Sequence, residues 1–391
     1  MTDTLQSKAN LEAQNQIQDE KTATLSQLIL NGIGPAKNIQ LDFAPRANLL
    51  TGDNGLGKSF ILETAWWALS GNWTNFQAYP REEQGQPVVP SLLLYAKVDG
   101  AFAIWDPTSD HPASHRPQTL LLTRDEVWSG LSVMAEGRTS YISNGLITDW
   151  INWQNSPNQE PFETLKRVLL RLSPPDLEFG DLGSLEPGTP RRIPGDSRLI
   201  PTIKHPYGEV PLIYASAGVR RIVALAYLIV WAWQEHKTRA ALQRQEPRQR
   251  MVILIDEIES HLHPQWQRTI LPALLDVWQD LNGDVEMQLL IATHSPLVMA
   301  SLEPSFDPER DKIFHIDLVQ NGASGPEVCV KSPEFVVYGT VDSWLRSEVF
   351  ELGQARSMEA EKAIEDAKQL QFQGRVSQRS IKNRSSQSQS P

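Results

Sequence analysis

Three short stretches of the chain hold residue types that could handle a phosphate ester. The run Gly52, Asp53, Asn54, Gly55, Leu56, Gly57, Lys58, Ser59 and Phe60 fits the spacing Gly-x4-Gly-Lys-Ser. Glycines at Gly52, Gly55 and Gly57 let the backbone curl until several N–H groups point at one anion. Lys58 then sets a cation on the terminal phosphates, and Ser59 offers a hydroxyl to Mg2+. A second stretch, Met251 to Ile255, is apolar and ends in Asp256 and Glu257. Asp256 suits the metal, whereas Glu257 suits the orienting and deprotonation of an attacking water. In the third, Ala292-Thr293-His294-Ser295-Pro296, His294 ends an apolar run, within reach of a γ-phosphate or its water. Lys58, Glu257 and His294 are thus the candidate catalytic residues, with Ser59 and Asp256 as metal ligands.

These residues need strands that stop beside one another. "ANLLTG" reads as a strand entering the glycine loop, and "KSFILETAWWALSG" as the helix leaving it, with Gly71 as its stop. That helix start adds its positive end to the anion site. "LSQLILNGIGPAKNIQLDF" reads as two short strands around a Gly-Pro turn. Strands are expected at "SLLLYAKVDGAFAIWD", "RMVILIDE", "MQLLIATHS" and "KIFHIDLVQ". Helices are expected at "FETLKRVLLRL", from Val219 onwards, and across "HPQWQRTILPALLDVWQDL". Apolar strands alternating with helices predict an α/β fold around a mixed sheet, with a mainly β N-terminal part and an irregular inserted, partly helical region.

The chain has 391 residues, 40% hydrophobic and 21% charged, the balance of a soluble globular protein. Its longest apolar run, "IVALAYLIVWAW", is shorter than the roughly 18 residues a membrane span needs and predicts a buried helix. A polar N-terminus predicts no secretion, and a single cysteine, Cys329, excludes a disulfide framework within one chain and suits the cytoplasm. The net charge of −11 argues against a surface that coats nucleic acid at large. Residues 1–24 and 371–391, the latter a basic tail, read as disordered. Between them, 25–71 forms a lobe with the glycine loop, 72–212 an insertion, 213–340 a second lobe and 341–370 a helical docking segment.

"GDNGLGKS", "ILIDEIESHLHP" and "ATHSP", in that order, resemble the ABC-type ATPase heads of the SMC, RecF and OLD-like group. The resemblance covers roughly Leu25 to Leu370 and implies a P-loop fold that binds ATP with Mg2+ and pairs as a homodimer. It implies a signature motif at "YASAGVRRIVALAY", where Ser216 and Gly218 reach the partner's nucleotide, with Arg220 or Arg221 as a trans cation. The motif departs from the usual Leu-Ser-Gly-Gly-Gln. Glu259 to Pro264 take the place of the D-loop, at the subunit interface. The alternation of Glu257, Glu259, His261 and His263 is better read as that turn than as a transition-metal site. A Mg2+-sensing glutamine is Gln77, Gln84 or Gln86, and the residues do not choose among them.

More narrowly, "ASAGVRR" followed by "AYLIVWAWQEH", and "GTVDSWLRSEVFELGQARS", are similar to compact ATP-binding proteins of bacterial defence systems, including Septu-like ones. That likeness implies a separate effector, an HNH-type nuclease, since the chain itself carries no nuclease pattern. The alternative is a RecF-like DNA-repair ATPase, using arginines near Arg191 and from Arg244 to Arg250 on DNA phosphates. Several of the 12 tryptophans, Trp73, Trp105, Trp128, Trp150 and Trp153, fall in or near the insertion. They could stack bases, but without interleaved basic residues they read as core.

Overall fold

The computed structural model of the protein describes residues 25–350 except 32–33, 36–37, 71–91, 111–116, 136–137, 175–182, 282–284 and 321–325, together with 352, 359, 360, 362 and 364. Both expected disordered tails, Gly71, Trp73 and the candidate glutamines Gln77, Gln84 and Gln86 lie outside the described residues. Contacts divide the chain into two units, Met1–Val337 and Tyr338–Pro391.

In the first unit, β1 (Gln27–Asn31) and β2 (Asn38–Asp42) form an antiparallel hairpin. β3 (Ala47–Gly52) leads through the glycine loop into α1 (Lys58–Ser70). There follow β4 (Leu92–Ala96), β5 (Phe102–Asp110), β6 (Pro117–Leu122) and α2 (Arg124–Ser129). A hairpin of β7 (Leu131–Ala135) and β8 (Arg138–Ser143) precedes α3 (Leu146–Asn155) and α4 (Glu160–Arg171). Two small ladders come next, β9 (Arg191–Ile193) with β10 (Asp196–Ile200), and β11 (Thr202–His205) with β12 (Gly208–Pro211). The long α5 (Ala217–Leu242) then leads to β13 (Arg250–Asp256), α6 (Pro264–Gln267), α7 (Ile270–Asp276) and β14 (Glu286–Ala292). Helix α8 (Pro296–Leu302), β15 (Asp311–Gln320) and β16 (Pro326–Lys331) complete this unit.

The central sheet has eight strands in the order β16-β15-β3-β14-β13-β4-β5-β6. Its middle five pair in parallel, and β16, β5 and β6 are antiparallel additions. Parallel strands covered on both faces must be apolar almost throughout, and β4 and β13 are buried along nearly their whole length. Helix α1 buries Ile61, Leu62, Ala65, Trp66 and Leu69, the spacing of one helical stripe, against β3, β4, β13 and β14. Helix α5 is buried continuously from Ile222 to Trp233, as its unbroken apolar run predicts. Among the described residues no helix is long and apolar enough to cross a membrane.

Two expectations change. The stretch 72–212 is not simply an insertion, since β4, β5 and β6 from within it supply three strands of the central sheet. The single helix expected after His263 is broken into α6, α7 and a 3-10 turn at Val277–Asp280. Pro272 is the physical reason, because it has no N–H for the carbonyl of Arg268 and its ring crowds that group. Trp105 and Trp150 are buried core, and Trp150 meets Phe162 edge to face. In the second unit, α9 (Val341–Leu345) is capped by Thr340 and buries Trp344 against the Tyr338 ring. Most of the expected docking segment lies outside the described residues.

One polar side chain fastens the N-terminal segment to the sheet. Gln288, fully buried in β14, accepts from the N–H of Leu25 at 2.9 Å and donates to the carbonyls of Leu25 and Ala44 at 2.9 and 2.8 Å. Replacing it by leucine strands these backbone groups in an apolar setting, each at about 1–3 kcal/mol. Gln288→Leu is therefore expected to lose about 3 kcal/mol, read as a lowered urea midpoint with an unchanged slope.

Candidate functional site at the carboxyl ends of three parallel strands

Strand register brings the three sequence motifs to one edge. Leu50 of β3 lies opposite Ala292 of β14, and Ala292 opposite Asp256 of β13. The glycine loop, the Asp256–Glu257 corner and His294 therefore leave the sheet level with one another. The N–H of Thr293 donates to the carbonyl of Leu50 at 3.0 Å and keeps this register past the strand ends.

Gly52 and Gly57 sit at φ of 132° and 102°, where a side chain is strained. Their neighbours forbid one as well. A Cβ on Gly52 would lie 2.1 Å from the carbonyl oxygen of Ile316 in β15, and one on Gly57 2.5 Å from the ring of Pro35. The glycine spacing thus answers to strand and hairpin packing in addition to any ligand. Lys58 is almost fully buried, and its Nζ donates to the carbonyls of Gly52 and Asp53, both at 2.8 Å. Burial lowers its pKa, against the opposing pull of Asp256, Asp53, Glu257 and Glu259.

Asp256 is buried and Glu257 half-buried, at the end of β13. Burial raises the pKa of the Tyr95 phenol in adjacent β4, and the charge of Asp256 adds to that rise. Glu257 adopts φ of 50°, left-handed backbone that costs a non-glycine residue about 1–2 kcal/mol. Arg221 of α5 fixes this corner. Its guanidinium donates to the carbonyls of Asp256 at 2.8 Å, Glu257 at 3.0 Å and Val98 at 3.1 Å. The resemblance left Arg220 or Arg221 as a cation for a partner subunit; in this chain Arg221 makes its hydrogen bonds within its own subunit.

His294 is half-buried, and Glu259 accepts from its N–H at 2.5 Å and from the Thr293 hydroxyl at 2.7 Å. Ser295 caps α8 and donates to Gln267 at 2.7 Å, while Gln267 donates to the carbonyl of Leu262 at 2.9 Å. The turn after Glu257 and the His294 loop are therefore one hydrogen-bonded assembly. Glu259 and Gln267 escaped sequence reading as holders of this loop, because their partners lie about 30 positions away and leave no local pattern.

Ser216 caps α5 by accepting from the N–H of Val219 and is itself exposed. Gly218 is buried on the same turn, where a Cβ would lie 2.6 Å from the carbonyl oxygen of His261. The candidate signature thus packs on the turn that follows Glu257. His261 and His263 are exposed, and among the described residues no three His, Cys, Asp or Glu side chains cluster as a metal site. The Ser59 hydroxyl and Asp256 carboxylate are hard oxygen donors of the kind Mg2+ accepts; Ser59 follows Lys58 in the chain, and the charge of Asp256 acts on Lys58.

The His294 imidazole has its pKa lowered by burial and then by the Lys58 cation, while Glu259, Glu257 and Asp256 oppose the shift. A midpoint below the ordinary 6.5 is expected in an NMR titration of the imidazole. The folded state prefers the neutral ring, so this stability is fully present above 6.5 and declines as pH falls towards the folded midpoint. Lys58→Ala raises that midpoint towards 6.5, and Glu259→Gln lowers it further. A wild-type midpoint at or above 6.5 would contradict this account of the site.

A family model described as "AAA domain" matches residues 27–86. Retron Ec83 probable ATPase of Escherichia coli is 32% identical over 103 residues, 26% of this chain and 15% of that protein. Retron Vc95 probable ATPase of Vibrio cholerae serotype O1 biovar El Tor is 41% identical over 51 residues, 13% of this chain and 9% of that protein. The matches thus span under a fifth of either relative's length. The SMC head domain from Thermotoga maritima aligns with a TM-score of 0.38 at 16% identity, over 80% of this chain and 100% of that chain. A further family model matches residues 90–300, more than half of the chain, and by that match the protein belongs to the family described as "AAA domain, putative AbiEii toxin, Type IV TA system".

Proposed function

We propose that the protein binds ATP with Mg2+ at the edge formed by β3, β14 and β13, hydrolyses it between two paired copies, and so controls a separate effector in antiviral defence. The observation that carries this reading is the convergence of Lys58, Asp256, Glu257 and His294. Lys58 feels the carboxylates, and His294 feels Lys58, across one partly buried site.

Each residue takes a role its geometry suits. The glycine loop and the N-terminus of α1 present N–H groups to the phosphates. Lys58 exchanges the neutral carbonyls of Gly52 and Asp53 for phosphate oxygens, a stronger charge-assisted pairing. Ser59 and Asp256 would hold Mg2+, which would supply charge neutralisation at the phosphates. Glu257 accepts a proton from the attacking water, and the Arg221 bonds to its carbonyl fix the backbone from which it reaches. His294 is kept neutral by burial and by Lys58, able to hydrogen-bond the γ-phosphate or its water without adding charge.

Pairing is supported by the start of α5. Ser216 and Ala217 are exposed at the N-terminus of a 26-residue helix, free to meet the nucleotide of a second copy. Gly218 rests on the carbonyl of His261, so that contact would reach the turn after Glu257 directly. An effector outside this chain, of the HNH nuclease type, follows from the sequence resemblance. The likeness to two retron probable ATPases supports the defence setting.

ATP turnover by the wild type beside Glu257→Gln, with sizing in ATP and Mg2+, tests this. The variant is expected to lose about 10²–10⁴-fold in turnover, as removal of a general base does, while still binding ATP and accumulating dimers. Equal turnover in both proteins removes Glu257 from the chemistry, and failure of either to bind ATP ends the reading.

A further inference from the structure

Beside the candidate ATP site, α5 and the β4–β5 turn enclose a cavity of about 230 Å³, walled partly by Arg220 and Arg221 of the candidate signature stretch and by Ile258 and His261 of the turn after Glu257. Its walls combine two chemistries. Phe102, Trp128, Leu225 and Ile258 give it apolar and aromatic surface, and Lys97, Arg124, Arg220 and Arg221 bring four cations. Among the described residues Asp99 is the one acidic side chain in the lining, and one of its oxygens already accepts from the N–H of Ala101. His261 is the remaining titratable group among them.

The cations are not equally engaged. Arg221 is committed to the carbonyls of Val98, Asp256 and Glu257. Lys97 pairs with Glu63 at 3.5 Å. The Nε of Arg220, by contrast, is buried and makes no hydrogen bond among the described residues. That Nε has almost no accessible surface, so an anion meets it only when the Arg220 side chain shifts towards the cavity; a buried donor without an acceptor is costly, and gaining one removes the cost. An apolar cavity of about 150 Å³ already accommodates a benzene ring, so this one has room for a larger ring system with a polar substituent.

We propose that this cavity is an effector site for a small planar or aromatic organic anion, its ring against Trp128 and Phe102 and its charge on Arg220. The wall the ligand would touch is also the far side of the catalytic corner, since Arg221 and Ile258 border both. Occupancy therefore shifts how firmly Arg221 holds the carbonyls of Asp256 and Glu257, and so changes turnover. Binding stands independently of the proposed ATPase function; only the effect on turnover rests on it.

The test uses 1-anilinonaphthalene-8-sulfonate and its uncharged analogue N-phenyl-1-naphthylamine, which share their rings and differ by the anion. Binding is read by fluorescence without ATP, on the wild type, Arg220→Gln and Val98→Trp. Val98 lines the mouth and is 41% exposed, so tryptophan there obstructs the cavity without entering the core. Saturable one-to-one binding of the sulfonate is expected, about tenfold weaker in Arg220→Gln, as for one charge-assisted hydrogen bond, and lost in Val98→Trp. The neutral analogue should bind both the wild type and Arg220→Gln alike. Thermal unfolding of each variant at the wild-type temperature excludes misfolding as the cause of lost binding. No saturable sulfonate binding, or binding that neither substitution weakens, overturns the site. Saturation that leaves ATP turnover unchanged overturns its regulatory role, whereas a protein with no turnover at all fails the ATPase reading and leaves the binding result standing.

Discussion

Parallel register is the constraint from which the rest of this molecule follows. With Leu50, Ala292 and Asp256 side by side, three segments separated by long stretches of sequence end at the same height. The candidate site residues lie at these strand ends or just beyond, so a one-residue slip of β14 would send His294 to the wrong face. The register is held by more than the ladder. Apolar side chains fill both faces of β13 and β14, and Gln288 ties β14 to the N-terminal segment. At the other end, Thr293 bonds across to Leu50.

Beyond the strand ends the packing becomes polar and close. Gly52 touches β15, Gly57 touches the hairpin turn at Pro35, and Gly218 touches the carbonyl of His261. Each contact leaves no room for a Cβ, so the loop, the hairpin and the start of α5 cannot drift independently. Glu259 and Gln267 then join the turn after β13 to the loop after β14. The exposed N-terminus of α5 is thus joined to the His294 loop by a continuous run of close contacts and hydrogen bonds.

Much of this architecture was legible because it is local. A strand, a glycine loop and a helix succeed one another over Ala47 to Ser70, and the apolar run of β13 ends visibly in two acids. The periodicity of α1 and the unbroken apolar stretch of α5 likewise state their burial directly. What stayed hidden depends on partners far along the chain. Arg221 bonds to backbone carbonyls, which every residue possesses, so no residue type at Val98 or Asp256 signals the contact. Glu259 looked like one more acid in an alternating turn until Thr293 and His294 were beside it. Strands β4 and β5 were legible in "SLLLYAKVDGAFAIWD", but the Pro- and Gly-rich sequence around them hid β6 and hid that all three join the central sheet. The break at Pro272 was readable, but the surrounding helix period outweighed it.

The way the buried Lys58 and the half-buried Arg221 are satisfied explains how so much charge can be held at one edge. Lys58 and Arg221 both sit where desolvation disfavours a charge, and nearby carboxylates would be their obvious partners. Their hydrogen bonds go instead to carbonyls of Gly52, Asp53, Val98, Asp256 and Glu257. Carbonyl dipoles stabilise a cation without neutralising it, so the field of Lys58 still reaches His294 and that of Asp256 still reaches Tyr95. A direct ion pair would be tighter, but breaking it to admit a ligand would leave a buried charge uncompensated, at several kcal/mol. Exchanging a carbonyl for a more strongly accepting anionic oxygen avoids that step. The left-handed backbone at Glu257 belongs to the same arrangement. By turning the peptide at the strand end, it leaves the carbonyls of Asp256 and Glu257 both within reach of Arg221, which holds the corner without drawing on either carboxylate.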